Sequence, residues 1–290
     1  MSSKTATSGS TTTSCADDLS RLSSWILDCD TILVGTGAGL STAAGLTYSG
    51  KRFQDAFPDF IAKYHYSDMY TASFQRYESP EEHWAYWSRH IMLNRYLSKD
   101  NGTYAALLDL LDGKDYFVIT TNVDHCFQRF GFDKKRLFYM QGDYGLWQCS
   151  GPCHQSTYDN EEVVREMYES QHDMRVPSYL VPHCPRCGRP MMMNLRVDDR
   201  FVQDDGWYEA AERYTQFADM AVRADNTLFL ELGVGYNTPG IIKYPFWRMA
   251  STNRRSKFAS VSIGSCDHPP SISSRAVSLD ADIKQVLESL

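Results

Sequence analysis

Four cysteines constrain this chain more than any other feature. Cys149 and Cys153 are separated by three residues, and after thirty more come Cys184-Pro-Arg-Cys187-Gly. Two such knuckles joined by a loop bring four thiolates within tetrahedral reach of one ion, which suits a closed structural zinc site. A disulfide framework would need an oxidising compartment. The first thirteen residues are mostly Ser, Thr, Gly and Ala with one Lys, and lack the apolar core of a secretory signal. Cys149, Cys153, Cys184 and Cys187 are therefore expected to hold zinc. With every position filled by a thiolate, no coordination site is left for catalysis. Cys15, Cys29, Cys126 and Cys266 are scattered and carry no pattern.

Around this segment, short apolar runs alternate with helical periodicity. Asp18–Leu27 reads as an amphipathic helix, Ile32-Leu33-Val34 as a strand, Thr103–Leu111 as a helix and Tyr116–Ile119 as a strand. The alternation resumes with Leu228–Leu232, Ile241–Met249, Phe258–Ile263 and a closing helix over Asp280–Leu290. Strand and helix in this order predict an α/β chain with a doubly wound parallel-sheet, Rossmann-like domain. A smaller zinc-ribbon and helical module interrupts it. The expected divisions are a disordered tail over 1–17, the Rossmann-like domain over 18–144 and 196–290, and the zinc module over 145–195. Residues 51–100 form a helical elaboration. There Ser79-Pro80-Glu81-Glu82 is a helix start, with Ser79 as cap, Pro80 at the first position and Glu82 completing a capping box. Trp84, Trp87, Ile91 and Tyr96 should pack inward.

Two sets of residues have the chemistry of a ligand site. After the first strand comes Gly35-Thr36-Gly37-Ala38-Gly39-Leu40-Ser41, a strand, glycine turn and helix start. Glycines let backbone approach a pyrophosphate, and a helix N-terminus favours negative charge. The same letters also describe a plain tight turn. A second glycine turn, Gly233-Val234-Gly235, follows a later strand. The other set is Thr120, Thr121, Asn122 and Asp124 at the end of Tyr116–Ile119, with Gln141 further on. Ligands of open parallel sheets bind past the C-terminal ends of strands, although Asn and Asp there also make simple Asx-turns. Arg52 suits either a phosphate contact or a surface charge. The net charge of −7 excludes a dominant nucleic-acid footprint, and no apolar run reaches the ~18 residues of a membrane span.

The order of these landmarks resembles the sirtuin family over about residues 18–290. The landmarks are a GAGxS turn, TTN-x-D after a later strand, a polar residue before Gly142, the four-cysteine insertion, Leu195-Arg196 and a second glycine turn. The sequence is most similar to the class M, macrodomain-linked branch. Phe57-Pro58-Asp59-Phe60-Ile61-Ala62-Lys63-Tyr64, Gln141 through Cys149, and Tyr244-Pro245-Phe246-Trp247 look like that branch's signatures. Deacylating sirtuins carry His, a general base, at the place of Gln141. A carboxamide does not titrate and cannot do that work. The branch with Gln there consists of NAD-dependent protein ADP-ribosyltransferases that modify a lipoylated carrier resembling the glycine-cleavage H protein. Their genes often neighbour a macrodomain hydrolase and a lipoate ligase. Two departures from deacylases remain: Leu46-Thr47-Tyr48-Ser49-Gly50 replaces their acidic-Phe-Arg run, and Gly264 stands where many place Asn against the adenosine ribose.

The resemblance implies NAD as co-substrate and structural Zn2+. It implies roles for Gly35, Gly37, Ala38, Gly39 and Ser41 at the pyrophosphate and neighbouring ribose, with Arg52 nearby. Thr121, Asn122 and Asp124 would position the nicotinamide ribose and carboxamide, and Gln141 would bond ribose hydroxyls. Arg196 would orient the acceptor or a developing negative charge, its alternative being a surface ion pair. Gly233, Val234 and Gly235 would line the adenosine side. Asn122, Gln141 and Arg196 form the expected catalytic set. An acidic acceptor would need no base, since a carboxylate is already ionised at neutral pH. A lipoyl group is expected in a hydrophobic channel near the zinc module. Competing functions are a NAD-dependent lysine deacylase, a non-catalytic NAD-binding regulator and a NAD hydrolase. The expected location is cytoplasmic, with organelle import as the alternative. From the residues alone, the reading stops at a dinucleotide site plus structural zinc.

Overall fold

The computed structural model describes residues 10–290. The tail expected over 1–17 lies outside the described residues as far as residue 9, and helix α1 (Ser10–Asp28) begins directly after. There follow β1 (Thr31–Thr36), α2 (Ala38–Ala43), α3 (Lys51–Ala56), α4 (Pro58–Tyr64), α5 (Met69–Ser73) and α6 (Pro80–Ile91), which runs into a π-turn over Met92–Tyr96. The middle holds α7 (Thr103–Leu110), β2 (Asp115–Thr120), α8 (Cys126–Arg129), β3 (Leu137–Tyr139), β4 (Gly142–Cys149), β5 (Tyr158–Asp159), α9 (Glu161–Ser170) and β6 (Met191–Leu195). The chain closes with α10 (Asp205–Arg223), β7 (Thr227–Leu232), α11 (Lys243–Thr252), β8 (Lys257–Val261), β9 (Ala276–Leu279) and α12 (Ile283–Ser289).

These elements sort into two compact units. The first comprises residues up to 43, 102–120 and 213–290; the second, 44–101 and 121–212. In the first unit β2, β1, β7, β8 and β9 lie side by side in that order, every pair parallel. Parallel strands covered on both faces read as unbroken apolar runs. Ile32, Leu33, Val34, Leu228 and Phe229 accordingly lose all exposure. Helix α11 packs on β7 and β8, α1 on β9, and α12 against α7 and α2. Strand β9 was not foreseen. The closing helix is shorter than expected because Asp282 caps it, accepting the N–H of Gln285 at 3.0 Å.

The second unit is built on an antiparallel sheet, β5-β4-β6, and an aromatic core. Phe57, Phe60 and Tyr86 pack in edge-on and tilted contacts with centroids 5.0–6.4 Å apart, and Trp84 meets Trp147 of β4 at 5.1 Å. Ser79 caps α6 as expected, accepting the N–H of Glu82 at 3.2 Å. The capping box is not reciprocal, because the Glu82 carboxylate takes the N–H of Glu78 and the ammonium of Lys63 instead. Trp84, Trp87 and Ile91 are buried, and Tyr96 is half-buried. No described helix is long and apolar enough to cross a membrane.

Candidate active site

In the first unit the two glycine turns, distant in sequence, are one interlocked structure. Because β1 and β7 are neighbours, the turns that follow them meet. Gly37 donates its N–H to Leu232 O at 3.1 Å, and Gly39 donates to Gly233 O at 3.0 Å. A Cβ at Gly37 would lie 2.6 Å from Gly233 O, and one at Gly39 would lie 2.6 Å from Gly233 Cα. Gly233 itself has φ +65°, and its N–H reaches Val261 O at 2.9 Å. The N–H groups of Gly37 and Gly39 are thus spent within the protein, and the glycines act here by permitting close backbone approach. Gly35 lies inside β1, where a Cβ would strike Ile242 and Phe246. Ala38 opens α2, and the Ser41 hydroxyl sits 3.3 Å from Tyr104 OH. Val234 is buried, whereas Gly235 has open space where a Cβ would be.

Beside this turn lies a buried ion pair that sequence reasoning missed. Lys243 Nζ donates to Glu231 Oε1 at 2.6 Å, and both side chains are 0% exposed. Ser260 donates to the same oxygen at 2.9 Å, and Lys243 also reaches Ser265 O at 3.0 Å. Burial pushes the Glu231 carboxyl up, against the pull of Lys243. The available signal was an acid in the middle of the apolar run TLFLEL.

In the second unit, two segments carry the polar candidates and are stitched together. Tyr144 donates its N–H to Val123 O at 2.8 Å. Asn122 and Asp124 are buried, and Asp124 makes the foreseen Asx-turn, accepting the N–H of Cys126 at 3.0 Å. Thr121 is half-buried. Gln141 and Arg196 are brought together through the backbone: Arg196 donates its N–H to Gln141 O at 3.0 Å. Gly142 makes this possible, with φ +96° and a Cβ position only 1.9 Å from Asn194 O. Gln141 is half-buried and Arg196 exposed.

Arg52 is neither in a loop nor at the surface. It lies in the first turn of α3, half-buried, and donates to Thr47 O, Asn94 Oδ1 and Leu93 O, each at 2.8 Å. It therefore braces the π-turn. Two further groups went unread in the sequence. Tyr48 OH and Tyr144 OH are 2.6 Å apart. Burial, with the Asp124 carboxylate adding to it, pushes the Tyr48 phenol up to about 12. His125 and Asp143 form the second pair, 2.5 Å apart. A groove of about 470 Å³ lined by Asp55, Pro58, Arg89, Leu97, Tyr168 and Gln171 contains none of the predicted residues.

The four cysteines converge as their spacing required. Their sulfurs lie within 4.8 Å of one another. Cys149 and Cys187 are 3.6 Å apart, and Cys153 and Cys184 are 3.7 Å apart. Zn–S bonds of ~2.3 Å in a tetrahedron imply sulfur separations of ~3.8 Å, so the cluster fits zinc. Gly188, at φ +69°, turns the second knuckle and donates to Cys184 O at 2.9 Å. Burial opposes ionisation of Cys184, but the N–H groups of Arg186 and Cys187 outweigh it and bring the thiol down to about 7. His154 lies beside the cluster, its Nδ1 3.0 Å from Cys153 Sγ and its Nε2 2.7 Å from Tyr158 OH.

No protein-family model matches the chain. A protein ADP-ribosyltransferase of Staphylococcus aureus (strain Mu50) is 40% identical over 262 residues, covering 90% of this chain and 82% of that protein. A probable bifunctional ADP-ribose hydrolase/ADP-ribosyltransferase of Fusarium oxysporum f. sp. cubense is 31% identical over 237 residues, covering 78% of this chain and 39% of that protein. Among solved structures, Sir2Tm bound to a propionylated peptide matches with a TM-score of 0.60 at 19% identity, covering 93% of this chain and 96% of that one. A mutant Sir2 homologue in complex with ADP-ribose matches with a TM-score of 0.57 at 16% identity, covering 93% of each chain. At such identities the structural likeness is one of fold.

Proposed function

Since the chain belongs to the sirtuin-type protein ADP-ribosyltransferases, we propose that it transfers ADP-ribose from NAD to a lipoylated carrier protein resembling the glycine-cleavage H protein, releasing nicotinamide. The observation that carries transfer over deacylation is Gln141. It occupies the turn before Gly142 with a carboxamide, which neither takes nor gives a proton near neutral pH. A deacylase of this fold needs a base there. The name of the Fusarium relative couples transfer with ADP-ribose hydrolysis, which supports the expected link to an enzyme that removes the mark.

Breaking the nicotinamide–ribose bond develops positive charge at the ribose carbon, and the leaving group departs neutral. No general acid is required. The protein must hold the ribose, exclude competing arrangements and stabilise developing charge. In the first unit, Gly37, Ala38, Gly39 and Ser41 are assigned to the diphosphate and its neighbouring ribose, and Gly233, Val234 and Gly235 to the adenosine side. In the second, Thr121, Asn122 and Asp124 are assigned to the nicotinamide half and Gln141 to ribose hydroxyls. Arg196, exposed beside Gln141, is assigned to the acceptor. Zinc held by Cys149, Cys153, Cys184 and Cys187 would supply a crosslink between β4 and the second knuckle, and no reaction step.

The test is the intact mass of a lipoylated H-like carrier after incubation with enzyme and NAD. Lipoyl-free carrier, Gln141→Ala and Arg196→Ala enzymes run alongside. The expected result is one ADP-ribose on the lipoylated carrier alone, and at least a tenfold loss in each variant. Acyl groups removed from lysine peptides with no carrier adduct would overturn the proposal.

A further inference from the structure

His125 adopts a backbone conformation that side chains rarely enter. Its φ is +64°, at the cap of α8. Asn, Asp and His are the residue types found there most often, and such strain persists where surrounding contacts over-determine it. Here the contact is with Asp143 of β4. His125 Nδ1–H donates to Asp143 Oδ2 at 2.5 Å, and the carboxylate is only 3% exposed.

That carboxylate cannot turn away. Its other oxygen accepts the N–H of Gly145 at 2.7 Å and lies 2.8 Å from Nε of Arg95, on the π-turn. Glycine at position 145 lets the Arg95 guanidinium lie this close, since a Cβ there would fall 2.2–2.6 Å from it. The Arg95 main chain is held in turn, since Arg129 of α8 donates to its carbonyl oxygen. A carboxylate bound to Nδ1–H sets the imidazole tautomer and orientation and leaves Nε2 with its lone pair. The His125 side chain is 26% exposed, and its Nε2 has no hydrogen-bond partner among the described residues. Asp143 from β4 faces the imidazole, and Arg95 pairs with that carboxylate from behind.

The dyad is assembled from the same two segments, 121–126 and 141–145, that carry Asn122, Asp124 and Gln141. An oriented base has no proton to take from an ionised acceptor. Water, unlike a carboxylate acceptor, always brings one. We propose that His125, positioned by Asp143, activates water, so that this enzyme hydrolyses NAD to ADP-ribose when no acceptor protein is engaged. The inference rests on the transferase reading for its use of NAD. In the step, water oxygen bonds to the ribose carbon, and the bond to nicotinamide breaks with its electron pair going to the departing neutral base. The proton from water passes to His125 Nε2 and then to solvent. NAD and water give ADP-ribose, nicotinamide and one proton.

The experiment incubates the full chain with NAD alone and, separately, with NAD and lipoylated H-like carrier. Nicotinamide, ADP-ribose, released protons and carrier mass are all read. The variants are His125→Asn, chosen because Asn tolerates the same backbone, and Asp143→Asn. The expected result is hydrolysis by the wild type with one proton per nicotinamide. In His125→Asn the hydrolysis rate should drop about 100-fold or more, while carrier modification falls far less. A dyad that merely stitches the two segments would make hydrolysis and carrier modification fall in parallel, which would overturn the inference. So would a wild type that modifies the carrier yet releases no free ADP-ribose. Hydrolysis without carrier modification would support the dyad and count against the transferase reading. Absence of both activities would overturn both.

Discussion

Replacing Gly233 by Ala should dismantle the interlocked turn of the first unit. The added Cβ would lie 2.4 Å from Leu40 N and 2.5 Å from Gly39 Cα, both main-chain atoms with no rotamer to yield. The residue would also have to hold φ +65°. The left-handed conformation costs about 1–2 kcal/mol, and forcing a methyl group into filled space about 1–3 kcal/mol more. At roughly 2–4 °C per kcal/mol for a chain of this size, the melting temperature should fall by roughly 5–15 °C. Gly235 is the control. It lies two residues away in the same turn, but its Cβ position has nothing within 4 Å, so Gly235→Ala should melt within about 1 °C of the wild type. Thermal unfolding of both variants, with nicotinamide release measured on the same samples, is the assay. A Gly233→Ala protein as stable as the wild type, or equal losses at both positions, would refute the view that main-chain contact between the turns requires glycine.

Three other outcomes are expected. Purified protein should carry one zinc per chain by elemental analysis, and Cys187→Ser should lose it together with thermal stability; a metal-free wild type of full stability would contradict the site. Burial lowers the His90 imidazole to about 3, so the unfolded chain takes up a proton below pH ~6.5 while the fold does not. That costs about 2.5 kcal/mol between pH 7 and pH 4.5, and denaturation of His90→Leu should show a correspondingly flatter pH dependence. Lys243→Met should cost about 3–5 kcal/mol in denaturant unfolding by stranding Glu231, and adding Glu231→Gln should recover much of it; a double variant no better than the single would mean the pair is not the cause.

What could be read from the sequence was what depends on neighbours along the chain. The strands Thr31–Thr36, Asp115–Thr120 and Thr227–Leu232 showed as apolar runs because parallel strands are covered on both faces. The zinc cluster showed because each knuckle is local and thiolate spacing is restrictive. Strand β9 has only the four residues AVSL, too few for any period. Strand β4 was hidden by its two glycines, whose reasons the sequence does not state: the main-chain Asn194 O presses on Gly142, and the Arg95 guanidinium lies against Gly145. That the two glycine turns meet depends on β1 and β7 being adjacent, a pairing across almost two hundred residues.

The same division governs the chemistry. That Gln141 offers no base is legible in the letters themselves, since a carboxamide does not titrate. Whether the chain has another base is not legible there, since His125 is two letters past Val123 in a stretch already singled out and nothing in those letters marks it. An imidazole becomes useful through the carboxylate that orients it, and Asp143 stands eighteen residues away, fixed by an arginine from a π-turn still further off. Glu231 follows the same logic. An acid in an apolar strand is visible in the sequence as an anomaly, but only the fold shows Lys243 beneath it and so distinguishes a paired charge from a mistaken strand. Titratable groups therefore have to be judged by their partners, and a residue missing from a familiar position settles only what that position cannot do.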